Sequence, residues 1–441
     1  VKRGAAWLAG LALLAPSLLP LAPPARAAEE EASAEEVSAE EVSAEEGPVD
    51  LEKLHRERTA RAGLYPVRRR ISRYLEAATK AVDAGKPEDG RALLDKLDVK
   101  RLNPFERALV YRLHAHLAYF GGDHAAAREN FEKVLAEKIL PIREDNRIRF
   151  NIAQLYASSQ QWDEVIKALD RWARYVDEPD PFVHYLRAVA YYQLENFDAA
   201  LAEAKRAVEL SPEPLESWLL ILSALYTQKE QYANAVPVLE QLVSRFPSKK
   251  RYWIQLALIF GALENYPRAL SLQELAYRQG LLTEDKELRR LARASLHQNL
   301  PYPAAQVLER ALADGAITRD SEALELLANS WIAAREYERS LPPLRQAAEL
   351  AKNGNLYVRL GQVYMQREAW EEAAEVLQQA IAKGDLKDPG NAQLLLGIAY
   401  YNDQRVDQAR SSFARARQHD STREAADRWI SHLESGGGTA G

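Results

Sequence analysis

His114, His116 and His124 are the densest group of side chains that could hold a metal, and their spacing argues against it. Two residues apart on a helix, His114 and His116 point to nearly opposite sides, so one ion cannot take both. They read as packing or surface histidines. The chain contains no cysteine, which removes thiolate zinc sites, thiol nucleophiles and disulfide staples together. No Gly-rich phosphate loop, Gly-x-Ser-x-Gly elbow or His-Glu-x-x-His helix occurs. Carboxylates are plentiful but sit at helix-surface spacing, as in Glu371, Glu372 and Glu375, where solvation accounts for them. An enzyme, such as one acting on peptidoglycan, would need a catalytic group that the sequence does not display. The expectation is a chain that is not an enzyme and uses no cofactor.

Charge narrows the partner classes. Residues 1–50 carry ten acidic and three basic side chains, which leaves 54 acidic and 55 basic for the rest of the 441. So balanced a body does not offer the basic surface that nucleic acid requires. The 20 tyrosines fall mostly at repeated positions and read as packing before they read as a ligand platform.

Those positions belong to helical hairpins. In Pro181–Pro212, Ala188 and Tyr191 share one helix face, a turn follows at Leu194–Asn196, and Phe197, Ala200, Ala204 and Ala207 mark a second helix that Pro212 stops. The small residue recurs at Ala78, Ala115, Ala153, Ala188, Ser223, Ala257, Ala292, Ala328, Gly361 and Gly397, in steps of 33 to 38 residues. Three residues on stand Tyr156, Tyr191, Tyr226, Phe260, Trp331, Tyr364 and Tyr400. A second small site recurs at Ala127, Ala200, Ala235, Ala269, Ala304, Ala373 and Ala409. A small residue lets two helix backbones approach where they cross, and a ring three residues away fills the space above.

This pattern resembles the tetratricopeptide (TPR) repeat, a helix–turn–helix of about 34 residues. The resemblance runs from about Leu64 to Asp420 and implies an all-α, right-handed TPR-type solenoid of about ten hairpins with a C-terminal capping helix. The first unit, with Gly90 at its second small site, is expected to act as a cap. Val165 replaces alanine in the third. Pro301 and Pro303 predict a loose joint near Gln298–Pro303, and Pro342 and Pro343 should kink or delay the helix that holds them. Ser421–Glu424 reads as a capping box. It opens a covering helix, residues 421–434, whose apolar stripe is Ala425, Ala426, Trp429, Ile430 and Leu433. Residues 435–441 read as a flexible tail.

The N-terminal segments differ in kind. Lys2 and Arg3, the apolar run from Ala5, and Ala25-Arg26-Ala27 read as a cleavable signal peptide over residues 1–27, with the periplasm as the destination. Residues 28–63 read as an acidic, disordered tether. Three copies of Ser-Ala-Glu-Glu within Glu29–Glu46 leave too little apolar surface to offset ordering.

In TPR arrays the first helix of each hairpin lines the inner face. The resemblance therefore implies that residues three before, one after and four after each small residue look into a groove. The candidate partner-binding residues are Tyr185, Val189 and Tyr192, then Leu220, then Ile254 and Leu258, then Arg289 and Arg293. The alternative is that these side chains pack against neighbouring first helices. The carboxylate clamp of chaperone-binding TPR proteins is not expected, because Glu325 stands where it needs lysine, beside Asn329. The runs Phe246–Gly261, Leu275–Leu282, Leu326–Leu344 and Leu356–Ala373 resemble periplasmic TPR proteins associated with the TonB–ExbB–ExbD system. That resemblance implies a protein partner from this system, an accessory role in TonB-dependent transport, and membrane contact only through partners. A scaffold for envelope assembly or polysaccharide export is the alternative.

Overall fold

The computed structural model describes residues 50–176 and 180–434. The expected signal peptide (residues 1–27), residues 28–49 of the expected tether and the expected tail (residues 435–441) lie outside the described residues. Within them the chain forms 22 α-helices and no strand. The contacts divide it into two compact units, with the boundary between Val238 and Leu239.

The first unit opens with α1 (Leu51–Gly63). Hairpins follow: α2 (Arg69–Asp83) with α3 (Pro87–Leu94), α4 (Pro104–Phe120) with α5 (His124–Ala136), α6 (Ile142–Ser158) with α7 (Trp162–Ala173), and α8 (Pro181–Gln193) with α9 (Phe197–Glu209). After α10 (Glu216–Gln228) comes α11 (Tyr232–Arg245), inside which the boundary falls. The second unit continues with α12 (Lys250–Ala262) and α13 (Tyr266–Arg278), α14 (Asp285–His297) and α15 (Pro301–Ala313), and α16 (Ser321–Ala333) and α17 (Tyr337–Leu350). It ends with α18 (Asn355–Gln366) and α19 (Trp370–Lys383), α20 (Pro389–Asn402) and α21 (Val406–Ala416), and the single helix α22 (Arg423–Glu434).

Every small site of the leading helices is buried, from Ala78 through Gly397. Twelve residues later the trailing helix buries its own small or slender residue in all ten hairpins, with Gly90, Val165 and Ser340 standing among the alanines. Seven residues after each leading small site the backbone turns left-handed. Gly85 and Gly122 do this in the first two hairpins. In the other eight the position holds Gln160, Glu195, Glu230, Glu264, Asn299, Arg335, Glu368 or Gln404, at φ of 55–61°. The turn then closes identically. In the fourth hairpin the Asn196 N–H donates to the Tyr191 carbonyl at 2.9 Å and the Glu195 N–H to that of Tyr192 at 3.0 Å. This is the Schellman pair, which satisfies carbonyls that a helix end leaves open. The residue three after the small site thus supplies a packed side chain and the acceptor that ends the helix.

Proline fits this scheme better than the sequence suggests. The turn before α15 keeps the common form, with the Leu300 N–H on the Ser295 carbonyl at 2.9 Å, so the joint expected to be loose is closed. Pro301 and Pro303 stand in the first turn of the helix, where an N–H would have no intrahelical acceptor. Pro342 and Pro343 lie inside α17 without delaying it, since the helix begins at Tyr337 immediately after its turn. The final helix opens differently from the expected capping box. The Ser421 hydroxyl donates to Asp388 at 3.3 Å and that of Thr422 to the Ala416 carbonyl at 2.7 Å, so both tie α22 back to the preceding hairpin. The expected stripe then packs, with Ala426 and Leu433 buried and Trp429 stacked on Phe413 at 5.3 Å.

One segment of the expected tether is structured. Residues 51–63 form α1, capped by Asp50, whose carboxylate accepts the Lys53 N–H at 2.9 Å. No residue of α1 is buried, so its own apolar content gives no sign of it. It packs on α6, where Arg58 approaches Asp145 at 3.8 Å.

Candidate functional site

The histidines are parted by packing. His116 is buried edge-on to Phe131 at 5.5 Å, His124 stacks on Tyr119 at 6.0 Å, and His114 faces Asp95 at 3.9 Å. Among the described residues no group of three or more His, Cys, Asp or Glu side chains could hold a metal ion. No helix of the described residues is long and apolar enough to cross a membrane.

Each unit has a cavity opening on its leading helices. In the first unit a cavity of about 790 Å³ lies between α1, α6, the end of α7 and the start of α8. One wall is aromatic: the Phe150 ring sits 5.9 Å from Trp172 and 6.0 Å from Phe182. Along α6 the amides of Asn146, Asn151 and Gln154, all nearly buried, line the floor. Asn146 donates from Nδ2 to the Tyr175 carbonyl at 2.5 Å, while its Oδ1 is buried without a donor. Arg143 and Arg147 stand exposed at the rim, one turn apart, and Arg56 faces them from α1.

Behind this wall is an electrostatic cluster. Both Asp145 oxygens are buried without a hydrogen bond, near Arg58 and Arg149, and Arg149 lies over the Tyr175 ring at 4.2 Å. Burial pushes the Asp145 carboxyl up to about 6, more strongly than the arginines pull it down. Burial also lowers Arg58. The second unit's cavity, about 370 Å³, is polar: Asn355, Arg359, Gln362 and Gln366 of α18 face Lys387 and Asn391.

The residues expected to face a groove divide. Leu258 is 41% exposed and Arg293 is exposed, paired with Glu322 at 2.5 Å. Tyr192, Leu220 and Ile254 are half-buried. Tyr185 and Val189 are core instead, each 4% exposed. Tyr185 stacks on Trp218 of the next leading helix at 6.0 Å and leans on Phe182 at 5.7 Å; the large indole closes the space the tyrosine was expected to leave open. Arg289 is also removed from any groove. It is 8% exposed, chelated by Asp285, by Asp320 at 2.9 Å and by the Thr318 carbonyl at 3.1 Å. These bonds raise Arg289 further above its ordinary range and hold Asp285 down at about 2, with the Thr318 N–H assisting.

The cavity residues that the sequence reading missed obey the rule applied elsewhere. Phe150 and Gln154 lie three before and one after Ala153, and Val358 and Gln362 stand likewise to Gly361 in the second cavity. The positional signal was there in the third and ninth hairpins, which lack the run of apolar groove residues that drew attention to the fourth, fifth and sixth.

No curated protein matches the sequence. Solved structures resemble it at low identity. A tetratricopeptide repeat protein from Parabacteroides merdae is 15% identical over 67% of this chain and 99% of its own, with a TM-score of 0.34. MamA from Desulfovibrio magneticus is 21% identical over 38% and 93%, with a TM-score of 0.31. The TPR2AB domain of yeast Sti1, solved as a complex with an Hsp90 segment, is 15% identical over 58% and 98%, with a TM-score of 0.29. One model of the tetratricopeptide repeat matches residues 112–184, 225–280 and 358–424, and a second matches residues 181–214. With matches in both units and ten hairpins of one design, the chain is a tetratricopeptide repeat protein.

Proposed function

We infer that this chain is a non-enzymatic scaffold that binds protein partners through the faces of its leading helices. TPR proteins generally mediate protein–protein interactions, and one observation here favours the leading-helix face: the cavity of each unit opens there, lined by residues at the predicted inward positions. Amide and aromatic side chains together suit a peptide, since amides pair with backbone groups and rings anchor apolar side chains. The N-terminal sequence supports export to the periplasm, and the resemblance of the Phe246–Ala373 region to TonB-associated proteins supports an accessory role in that transport system. Photo-crosslinking residues placed in cells at Leu258 and Gln362, with exposed Lys205 on a trailing helix as control, test both parts. Adducts from the leading-helix positions that contain TonB, ExbB or ExbD are expected. Adducts from Lys205 alone would overturn the binding face, and polysaccharide-export partners would overturn the TonB assignment. Fractionation should release a shortened product with the periplasmic contents; a full-length, membrane-bound product would refute export.

A further inference from the structure

The first unit's cavity has a chemistry of its own, which specifies the binding reading further and rests on it. Three arginines on neighbouring hairpins of this unit are matched across helices: Arg107 with Glu137 at 2.7 Å, Arg112 with Glu144 at 2.8 Å, Arg187 with Asp170 at 2.6 Å. Arg143, Arg147 and Arg56 form no ion pair with any described residue, although three guanidinium groups at one rim repel each other. The two carboxylates at the cavity do not answer them. Asp180 accepts the Phe182 N–H at 2.8 Å as the cap of α8, and Glu52 is exposed in the first turn of α1. Below the rim, the nearly buried amides of Asn146, Asn151 and Gln154 line the cavity. Beside them the rings of Phe150, Trp172 and Phe182 form one wall.

We propose that this cavity binds an acidic peptide segment of a partner protein. One large apolar side chain seats on the Phe150–Trp172–Phe182 wall, and flanking carboxylates meet Arg143, Arg147 and Arg56. Charge complementarity selects the sign of the segment, and the cavity, about 790 Å³, has room for a bulky anchor residue with its neighbours.

The test is fluorescence anisotropy on the full chain with two labelled peptides of equal length, each carrying one tryptophan, flanked in one by glutamates and in the other by lysines. The acidic probe should bind more tightly, with affinity falling as salt rises. Arg143→Glu with Arg147→Glu should weaken it by at least about tenfold and shift the preference toward the lysine probe, at unchanged helicity, because both side chains are exposed. Equal affinity for the two probes, or an acidic probe indifferent to the double reversal, would overturn the proposal. Displacement of the probe by a synthetic peptide of residues 29–49, at concentrations matching an intramolecular ligand, would assign the cavity to the chain's own acidic segment and also overturn it. If the cavity fails while crosslinks still form at Leu258 and Gln362, the leading-helix reading survives and this proposal alone falls.

Discussion

The ring of Phe413 occupies the place where a side chain on Gly397 would have to go. A Cβ built at Gly397 would stand 2.5 Å from Phe413 Cε1 and 2.6 Å from Cδ1. Gly361 and Leu377 stand in the same relation one hairpin earlier, at 2.7 Å from Leu377 Cγ. Phe413 cannot retreat, because its far face is covered by Trp429 of α22. Gly397→Ala should therefore cost about 1–3 kcal/mol by overpacking, and Phe413→Leu in the same chain should recover part of it. Urea unfolding of the single and double variants measures this; additive losses would show that the two positions are not in contact.

The left-handed turn residues predict gains in stability. Glu195 at φ 58° carries a side chain where glycine is the residue of least strain. Relief of about 1–2 kcal/mol outweighs the roughly 0.5–1 kcal/mol that glycine loses in entropy. Glu195→Gly should raise the unfolding midpoint, and the same change at Glu230, Glu264 or Glu368 should add to it. Glu195→Val should lower it, since a β-branched residue is the poorest choice at positive φ. A Glu195→Gly variant no more stable than the parent would refute this account of the turn.

Two buried groups of the first unit give opposite responses to acid. Burial lowers His116 from 6.5 to about 4, so the stability it brings as a neutral ring is complete above pH 6.5 and is lost as pH falls toward 4. Asp145 is raised from 3.8 to about 6. Its folded form holds the proton more tightly, so stability is greatest below 3.8 and declines as pH rises through 6. The parent should show a shallow pH dependence between 4 and 6, because the slopes oppose. Asp145→Asn should leave the histidine slope, with stability falling on acidification; His116→Gln should leave the reverse. Urea midpoints across this range decide it, and parallel profiles in all three proteins would contradict the assignment.

Arg289, expected at a binding face, is predicted to matter for folding alone. Arg289→Ala leaves Asp285 and Asp320 without their buried donor and should cost about 1–3 kcal/mol. In the parent, the depressed Asp285 carboxyl contributes stability that is present above pH 3.8 and lost as pH falls toward 2. The variant should lack that acid limb. A variant of parental stability that bound partners less well would return Arg289 to the groove.

The hairpins were legible because their signal lies in residue size at fixed intervals, and burial at each small site answers it. The turn was less so: glutamate is an unfavourable left-handed residue, and nothing in Glu195 or Glu368 taken singly announces one. Helix α1 was hidden because none of its residues is fully buried and it follows an acidic stretch; the residue that its Arg58 approaches, Asp145, lies 87 positions away along the chain. Tyr185 was misplaced for a similar reason. The positional rule describes one helix, whereas the tyrosine's exposure is decided by Trp218 on the next.

The intervals within and between hairpins carry a further consequence. From leading small site to left-handed turn is always seven residues, and to trailing small site always twelve, whereas successive hairpins are spaced 33 to 38 residues apart. The length variation therefore falls outside that span, in the joints and in the outer ends of the helices: α4 and α6 each run 17 residues, α8 only 13. A residue inserted inside a hairpin would rotate the following helix by about 100° and turn its small side chain off the crossing point. The same insertion in a joint leaves both neighbouring hairpins intact. Joints, and not turns, are where this chain can accept added or deleted residues, and where new segments could be spliced in without unmaking the repeats on either side.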